Sequence, residues 1–276
     1  MSIAYLFVPG SSEKKIAKSF ESKADVVIID LEDSVKIEEK VEARRLISTA
    51  VNNIPNHKKR TFLRVNAMNT PWIQEDISLA QQLKLDGIMI PKVEEASDII
   101  WAQNQTELEI IPLIESARGI LNLKDIILAS TTTKRIAFGS VDYALDIGAE
   151  WTAEGEERKI AMNTLVLLSR YYNLEPPVDA VYPDIHDQES LQRDAKFGKQ
   201  LGFFGKMVIH PKHIDWVNHV YQPSKEQIEW CQLVVQAYDD NNQDGAFQLD
   251  GKLIDLPIYM KAKRTLAMVN RQLVDH

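Results

Sequence analysis

The stretch IIPLIESARG, residues 110–119, decides the fold, because an apolar run interrupted only by Pro112 ends abruptly in Glu115. A continuous apolar run of this kind is typical of a strand that is buried on both faces of a parallel sheet. Longer amphipathic segments separate such runs, with a period of roughly 30 residues that suits repeated strand–helix units. The runs are 3–8, 26–31, 62–65, 87–91, 109–114, 135–139, 178–183 and 205–209.

This alternation predicts an α/β protein, specifically a (β/α)8 TIM barrel with a C-terminal helical extension. A doubly wound dinucleotide-binding sheet would need a Gly-x-Gly-x-x-Gly turn, and no Gly-x-Gly occurs in the sequence. We expect the catalytic barrel in residues 1–215 and the extension in residues 216–276. Within the extension, two helices broken at 222–224 should precede a last helix that begins near Pro257. An appendage of this size is expected to cover an active site, its own or that of a neighbouring subunit.

Composition and charge argue against several classes of protein. The chain has 276 residues and a net charge of -8 without a basic stripe, which argues against nucleic acid as a partner. Its single cysteine, Cys231, excludes an intrachain disulfide and a cysteine-rich zinc site. The first apolar run ends in Pro9-Gly10, unlike a signal peptide, and no run approaches the roughly 18 apolar residues of a membrane helix. We therefore expect a soluble cytoplasmic protein with no membrane partner.

Ionisable side chains stand at or just beyond the ends of most apolar runs. In a barrel, the carboxyl ends of the strands form the active face, so these side chains should converge on one rim. Any one carboxylate could instead cap the following helix, but capping does not require the whole set. The residues are Asp30, Glu32, Asp33, Arg64, Lys92, Glu115, Asp142, Asp184, His186 and His210.

This set predicts a metal site for oxygen ligands. Glu115 and Asp142 are the natural pair for Mg²⁺, or Mn²⁺ in its place, with water and substrate completing an octahedron. A divalent cation beside Arg64 suits a small anionic compound such as an α-keto or α-hydroxy acid, whose carbonyl the metal would polarise. Further carboxylates should support the pair through water or hydrogen bonds, namely Asp30, Glu32, Asp33 and Asp184.

The histidines are weaker candidates. His210 and His213 have a spacing that occurs in some metal sites, but Pro211 lies between them. A strand-end and a helix-start side chain would point in different directions. A hydrogen-bonding role for His210 alone is favoured.

Beyond these residue arguments, the sequence resembles a known family, the citrate lyase beta-subunit-like CoA-ester lyases of the HpcH/HpaI aldolase group, which includes citramalyl-CoA and malyl-CoA lyases. The matching stretches run from end to end of the chain in the family's order. They are LFVPGSSEKKIAKSF (6–20), DLEDSV (30–35), RVNAMNTPW (64–72), DGIMIPKVE (86–94), LIESARGILN (113–122), AFGSVDYALDIG (137–148), GFFGKMVIHPKHI (202–214) and LDGKLIDLP (249–257).

The resemblance implies catalytic roles. It makes Glu115 and Asp142 the Mg²⁺ ligands, and Arg64 the group that binds the substrate carboxylate or thioester oxygen. Asp255 becomes the acid/base on the acetyl carbon, supplied from a neighbouring subunit of a homo-oligomer, a trimer or hexamer. The alternative for Asp255 is an N-cap of the helix that begins near Pro257.

The resemblance also implies a site for coenzyme A. Lys14 and Lys18, four residues apart on one helix face, should meet the CoA phosphates, and Phe7 should lie near the CoA moiety. Ile209 and His210 are assigned to the same substrate and CoA site. Many relatives have an arginine where this chain has Ser12, and citrate lyase members often carry a Ser-Pro-Glu-Gly motif of which only Glu154-Gly155 remains here. Both departures favour a CoA ester over a carrier-protein thioester.

The expected activity is therefore an Mg²⁺-dependent, reversible Claisen-type cleavage of a 3-hydroxyacyl-CoA to acetyl-CoA and a 2-oxo acid. Three alternatives stay open. The chain could be the beta subunit of a citrate lyase complex that acts on a carrier-bound thioester, or an aldolase that acts on free hydroxy acids. A non-catalytic assembly protein is disfavoured, because a scaffold has no need of an intact metal site.

Overall fold

The computed structural model describes residues 2–54, 59–241 and 245–274. The chain divides into two compact units, a sheet unit, Ser2–Tyr221, and a C-terminal unit, Gln222–His276. In the described ranges, no helix combines the length and apolar character that crossing a membrane requires.

The sheet unit is a mixed α/β structure built on parallel strands. Each of its strands coincides with one of the apolar runs read from the sequence. They are β1 Ala4–Pro9, β2 Val26–Asp30, β3 Arg60–Arg64, β4 Gly87–Ile90, β5 Glu109–Ile114, β6 Ala137–Phe138 and β7 Lys206–Val208. The 7-stranded sheet has the order β6-β5-β4-β3-β2-β1-β7, so most consecutive strands are neighbours. The carboxyl ends of these parallel strands consequently lie along one edge.

The run at 178–183 does not form a full strand. Only Val178 and Asp179 pair, through single parallel bridges to Ala137 of β6 and Lys206 of β7 respectively. Prolines precede and follow this segment, at 176, 177 and 183, and each lacks the N–H that a ladder needs. The segment between β6 and β7 therefore contributes two bridged residues where the sequence predicts a strand.

Helices follow the strands of the sheet unit, as the amphipathic segments predict. The predicted segments 38–51 and 156–172 each begin with a short 3-10 turn and continue as an α-helix. The helices are α1 Glu13–Glu21, α2 Lys40–Asn52, α3 Ile73–Gln82, α4 Ala96–Gln105, α5 Ala117–Leu121, α6 Leu123–Leu128, α7 Ser140–Asp146, α8 Lys159–Tyr171, α9 Gln188–Leu201 and α10 Pro211–Tyr221.

Both faces of the sheet are buried. Along β2, Val26 and Ile28 join one apolar cluster together with Phe62, while the alternate residues Val27 and Ile29 join a second cluster with the helices. Successive side chains of a strand point to opposite faces, so the four residues 26–29 of β2 all enter an apolar environment. This explains why the strands read as continuous apolar runs.

The C-terminal unit has the predicted helix after 222–224, the predicted last helix and, in addition, a β-hairpin, whereas the helix predicted before 222–224 is α10 of the sheet unit. Helix α11 covers Lys225–Asp240, strands β8 and β9 cover Phe247–Leu249 and Lys252–Ile254, and α12 covers Leu256–Val274. The two strands pair antiparallel across Asp250 and Gly251, whose φ angles are 47° and 76°. An Asp-Gly pair with both φ angles positive is the signature of a two-residue hairpin turn. Helices were the only secondary-structure elements predicted for this unit, although the Asp-Gly signal was present.

A buried ionic network fixes the bridged segment to the sheet and to the helices. Lys206 is completely buried, and its Nζ lies 2.6 Å from Asp179 Oδ2 and 2.5 Å from Asp194 Oδ2. Asp194 of α9 also pairs with Arg158, which is buried before α8. Two carboxylates thus share two cations, and each buried charge has an opposite charge beside it.

We predict that Lys206→Met lowers the free energy of unfolding by about 3–5 kcal/mol, because it leaves Asp179 and Asp194 buried with one cation fewer. Urea unfolding of the whole chain would measure the difference. Lys196→Met, which removes an exposed lysine of α9, is the matched control and should change stability by less than about 0.5 kcal/mol. Equal stability of the two variants would contradict this account of the network.

Candidate active site

The carboxyl edge of the sheet collects the ionisable residues that follow the apolar runs. Asp30 is the last residue of β2 and Arg64 the last of β3, while Glu115 follows β5 directly. Asp30 also shapes its own loop, since its carboxylate accepts the backbone N–H of Glu32 at 2.9 Å and of Ser34 at 3.1 Å. Asp30 therefore holds in place the loop that carries Glu32.

Arg64 is tightly engaged by neighbouring carboxylates. Its Nε and Nη2 donate to the two carboxylate oxygens of Asp30 at 2.6 and 2.7 Å, and Nη1 lies 3.0 Å from Glu32 Oε2. The guanidinium carbon also lies 4.8 Å from the centre of the Phe7 ring. Burial disfavours the charged form of Asp30, but the charge and hydrogen bonds of Arg64 outweigh it, so the pKa of Asp30 lies below its usual value. Arg64 thus supplies a positive charge that Asp30 holds in place through two hydrogen bonds.

Glu115 is a buried carboxylate with one oxygen held in place. It is 4% exposed, and its Oε1 accepts the backbone N–H of Lys92 at 2.7 Å. Burial, reinforced by the negative charges of Asp142 and Glu32, raises the pKa of Glu115 to about 8. Without a cation beside it, this carboxylate is therefore protonated over much of the neutral range.

Gly139 makes room for that carboxylate. A Cβ atom at Gly139 would lie 2.3 Å from Glu115 Oε2, far inside contact distance. Asp142 follows three residues later, in the first turn of α7, and is exposed. The glycine thus lets the chain pass close to Glu115 and place a second carboxylate beside it.

The residues fit a divalent metal ion that binds few protein ligands. In residues 2–54, 59–241 and 245–274, no group of three or more His, Cys, Asp or Glu side chains is arranged to hold a metal. The negative charge of Asp142 disfavours the ionised form of the Glu115 carboxylate. A divalent cation between the two carboxylates would offset this repulsion. Mg²⁺ commonly binds to one or two protein carboxylates and completes its octahedron with water and substrate.

Two cavities meet at this carboxylate pair. The first, with a volume of about 400 Å³, is lined by residues that include Phe7, Arg64 and Ile209. The second, of about 640 Å³, is lined by residues that include Lys92 and Arg118. Both Glu115 and Asp142 line both cavities. A ligand that is held at this pair can therefore extend to either side.

The other acidic residues predicted to support the site take different positions. Glu32 is buried and lies between two cations, with Lys92 Nζ 2.6 Å from its Oε1 and Arg64 on the other oxygen. Asp33 is exposed, 3.5 Å from Arg64, and lines the first cavity. Asp184 lines neither cavity, and its carboxylate accepts the backbone N–H of His186 at 2.8 Å.

The residues predicted to bind CoA lie in several environments. Lys14 and Lys18 are both exposed on α1. Phe7 and Ile209 line the first cavity. His210 lines neither cavity, and its Nδ1 accepts the backbone N–H of Lys212 at 3.1 Å.

His213 is a buried core residue. Its ring stacks on Trp216 at a centroid distance of 5.2 Å, and its Nε2 lies 3.2 Å from the carbonyl oxygen of Ile185. The ring of His210 is 6.0 Å away, centroid to centroid. These contacts give His213 a packing role.

Asp255 belongs to the C-terminal unit, where it acts as a helix cap. Its Oδ1 accepts the backbone N–H of Ile258 at 3.1 Å, in the first turn of α12. This contact is the alternative that the sequence left open. Capping uses one oxygen of the carboxylate, and the side chain remains partly exposed.

Two lysines shape the site, of which Lys40 was missed from the sequence and Lys92 was expected only as a member of the rim. Lys40 of α2 is buried and donates to the backbone carbonyls of Leu31 and Glu32 at 2.7 and 2.8 Å. Lys92 has a φ of 52° and contacts both Glu32 and Glu115. Lys92 was visible as a strand-end residue, but a positive φ at a lysine leaves no mark in the sequence.

Comparisons with known proteins agree with the motifs. The model of the HpcH/HpaI aldolase/citrate lyase family matches residues 4–211. A (3S)-malyl-CoA thioesterase of Cereibacter sphaeroides is 31% identical over 265 residues, which cover 95% of this chain and 92% of that protein. The mitochondrial citramalyl-CoA lyase of Homo sapiens is 30% identical over 290 residues, which cover 96% of this chain and 84% of that protein.

A solved structure extends the similarity to three dimensions. It is the crystal structure of protein CitE from Mycobacterium tuberculosis in complex with magnesium, acetoacetate and coenzyme A. It is 30% identical to this chain with a TM-score of 0.83, and the match covers 96% of this chain and 97% of that one. On the family match and these similarities, the chain belongs to the HpcH/HpaI aldolase/citrate lyase family, a family of carbon–carbon lyases that includes CoA-ester lyases.

Proposed function

We propose that this protein is an Mg²⁺-dependent CoA-ester lyase that cleaves a 3-hydroxyacyl-CoA of the citramalyl-CoA or malyl-CoA type. The products are acetyl-CoA and a 2-oxo acid, and the reaction is reversible. The observation that carries the proposal is the pair Glu115 and Asp142, which lines two adjoining cavities beside the fixed charge of Arg64. The CitE structure, which holds magnesium, acetoacetate and coenzyme A, supports the same combination of ligands.

The proposal includes an architecture. The bridged residues 178–179 occupy the position of an eighth strand between β6 and β7, which supports a (β/α)8 barrel over residues 1–215. Residues 216–276 would then serve as a lid on a neighbouring subunit in a homotrimer or hexamer. This arrangement would bring Asp255 to a neighbour's site, where its second oxygen is left for proton transfer.

In the cleavage direction, the substrate's 3-hydroxyl group loses its proton to solvent water and its C–O bond becomes the C=O bond of the 2-oxo acid. The electrons of the breaking C–C bond pass into the thioester, which becomes an enolate. Arg64 stabilises that negative charge through its fixed positive charge, and Asp255 donates a proton to the carbon to give acetyl-CoA. Glu115 and Asp142 hold the metal ion, which when bound polarises a carbonyl oxygen and lowers the cost of negative charge on it.

The decisive assay measures acetyl-CoA release by the pure protein from (S)- and (R)-citramalyl-CoA, malyl-CoA and citryl-CoA. We expect cleavage of one thioester, loss of activity with EDTA and recovery with Mg²⁺. Release of free CoA with an intact hydroxy acid would instead identify a thioesterase, the activity named for the Cereibacter relative. No reaction with any thioester would favour a citrate lyase beta subunit, which needs a carrier protein, or an aldolase for free hydroxy acids.

We predict that Asp142→Asn lowers kcat/KM by about 10²–10³-fold, because the site loses one of its two carboxylates and the charge stabilisation that depends on it. Since Asp142 is exposed, the melting temperature should change little. Asp125→Asn, which alters an exposed carboxylate of α6, is the matched control. Wild-type activity of Asp142→Asn with Mg²⁺ still bound would rule out the metal assignment.

The raised pKa of Glu115 predicts a pH-dependent stability in EDTA. The folded pKa, about 8, lies above the ordinary value of 4.5, so the folded state favours the protonated carboxyl group. Its stabilising contribution is complete below pH 4.5 and is lost as the pH rises through 8. Between pH 5 and pH 9, wild type should therefore lose stability relative to Glu115→Gln, by on the order of a few kcal/mol.

Urea unfolding of both proteins at several pH values would measure this difference. Mg²⁺ should stabilise wild type more at pH 9 than at pH 6, because it need not displace a proton at the higher pH. Glu115→Gln serves as the control for all other titrating groups. A stability difference that stays constant from pH 5 to pH 9 would show that Glu115 ionises normally.

A further inference from the structure

Lys92 is tied to both ends of the carboxylate cluster. It follows β4, and its backbone adopts a φ of 52°, a conformation that costs free energy for a residue with a side chain. In this conformation its N–H donates to Glu115 Oε1 at 2.7 Å, and its Nζ donates to Glu32 Oε1 at 2.6 Å. The ammonium group is thus held close to whatever binds at Glu115.

Among the cations of the site, Lys92 keeps donors that can reach a ligand. Arg64 is buried, with a side chain 13% exposed, and two of its nitrogens donate hydrogen bonds to Asp30. The side chain of Lys92 is 50% exposed, and Glu32 is its only side-chain partner within the described ranges. An ammonium group has three N–H donors, so two remain.

The second cavity provides space for a ligand next to the Lys92 side chain. Lys92, Glu115 and Asp142 all line it, so a group held at the carboxylate pair has the ammonium beside it. The other cation of that cavity, Arg118, is paired with Glu95. Several further carboxylates line the same cavity, namely Glu94, Glu95, Asp98 and Asp146. An anionic ligand group would be repelled there unless a cation met it.

We propose that Lys92, and not Arg64, binds the carboxylate of the 2-oxo acid half of the substrate in this second cavity. The inference rests on the proposed function, since it assigns one half of that substrate to one residue. One N–H of the ammonium stays on Glu32, which keeps the side chain in place, and the other two meet the substrate carboxylate. Arg64 keeps its role as a fixed charge on the thioester side, in the first cavity.

The test is Lys92→Met, assayed in the condensation direction with acetyl-CoA, Mg²⁺ and either pyruvate or glyoxylate. Methionine keeps the chain length and carries the same backbone φ, but it has no charge. The KM for the 2-oxo acid should rise by about 10- to 100-fold, the loss typical of a hydrogen bond to a charged group. The KM for acetyl-CoA should stay within about twofold, and Lys92→Arg should recover part of the loss.

Lys84→Met is the matched control. Lys84 is exposed at the end of α3 and has the same φ of 52°, so it reports the effect of methionine on this backbone conformation. It should leave both KM values unchanged. An unchanged KM for the 2-oxo acid in Lys92→Met would overturn the proposal. Equal increases in both KM values, or weaker Mg²⁺ binding, would also overturn it, because Lys92 would then act only on the site's structure.

Calorimetric binding of pyruvate and glyoxylate in the presence of Mg²⁺ separates this inference from the proposed function. If wild type binds a 2-oxo acid and Lys92→Met does not, the assignment of Lys92 stands even where no CoA ester is turned over. In that case the lyase proposal alone fails. If both proteins bind the 2-oxo acid equally, the assignment fails and the lyase proposal is unaffected.

Discussion

The burial of the sheet on both faces is the constraint on which the rest of the sheet unit depends. Alternate residues of each strand enter different apolar clusters, so an ionisable side chain within a strand must be paired with an opposite charge. Lys206 shows what this requires, since two aspartates meet its ammonium group. Elsewhere, ionisable side chains stand at the strand ends, where the chain turns towards solvent. The site forms there because the sheet leaves no other place for it.

Carboxylates outnumber cationic side chains at this edge of the sheet. Arg64 and Lys92 meet Asp30 and Glu32, while Glu115 has no cationic side chain in hydrogen-bond contact within the described residues. Burial raises the pKa of Glu115, and the negative charges of Asp142 and Glu32 raise it further. A site of this kind is completed by a cation from outside the chain, which is the physical basis for the proposed metal.

The two cavities give the proposed substrate a separate space on each side of the carboxylate pair. A lyase must stabilise charge on both sides of the breaking bond, and the carboxylate pair lies where the cavities meet. Arg64 lines the first cavity and Lys92 the second. These two cations differ in how far their side chains are exposed. The arginine side chain is buried and hydrogen-bonded to Asp30, whereas the lysine side chain is half exposed.

The sequence by itself determined the positions of the seven parallel strands and the order in which polar residues meet the edge of the sheet. The strands could be predicted because a strand that is buried on both faces has a nearly continuous run of apolar residues. It also placed Glu115 and Asp142 in one site, since the carboxyl ends of parallel strands share an edge. Their role as metal ligands stays a prediction, as do the roles of Asp255, Lys14 and Lys18.

Only the tertiary structure decided how the charges pair. The pairing of Arg64 with Asp30, the φ of Lys92 and the closeness of Gly139 to Glu115 depend on atoms that are distant in sequence. The shortened run at 178–183 depends on prolines whose missing N–H groups matter only where a neighbouring strand needs them. Periodicity reports burial along one segment, whereas pairing distances depend on how separate segments pack. For that reason the composition of the site could be read from the chain, and its geometry could not.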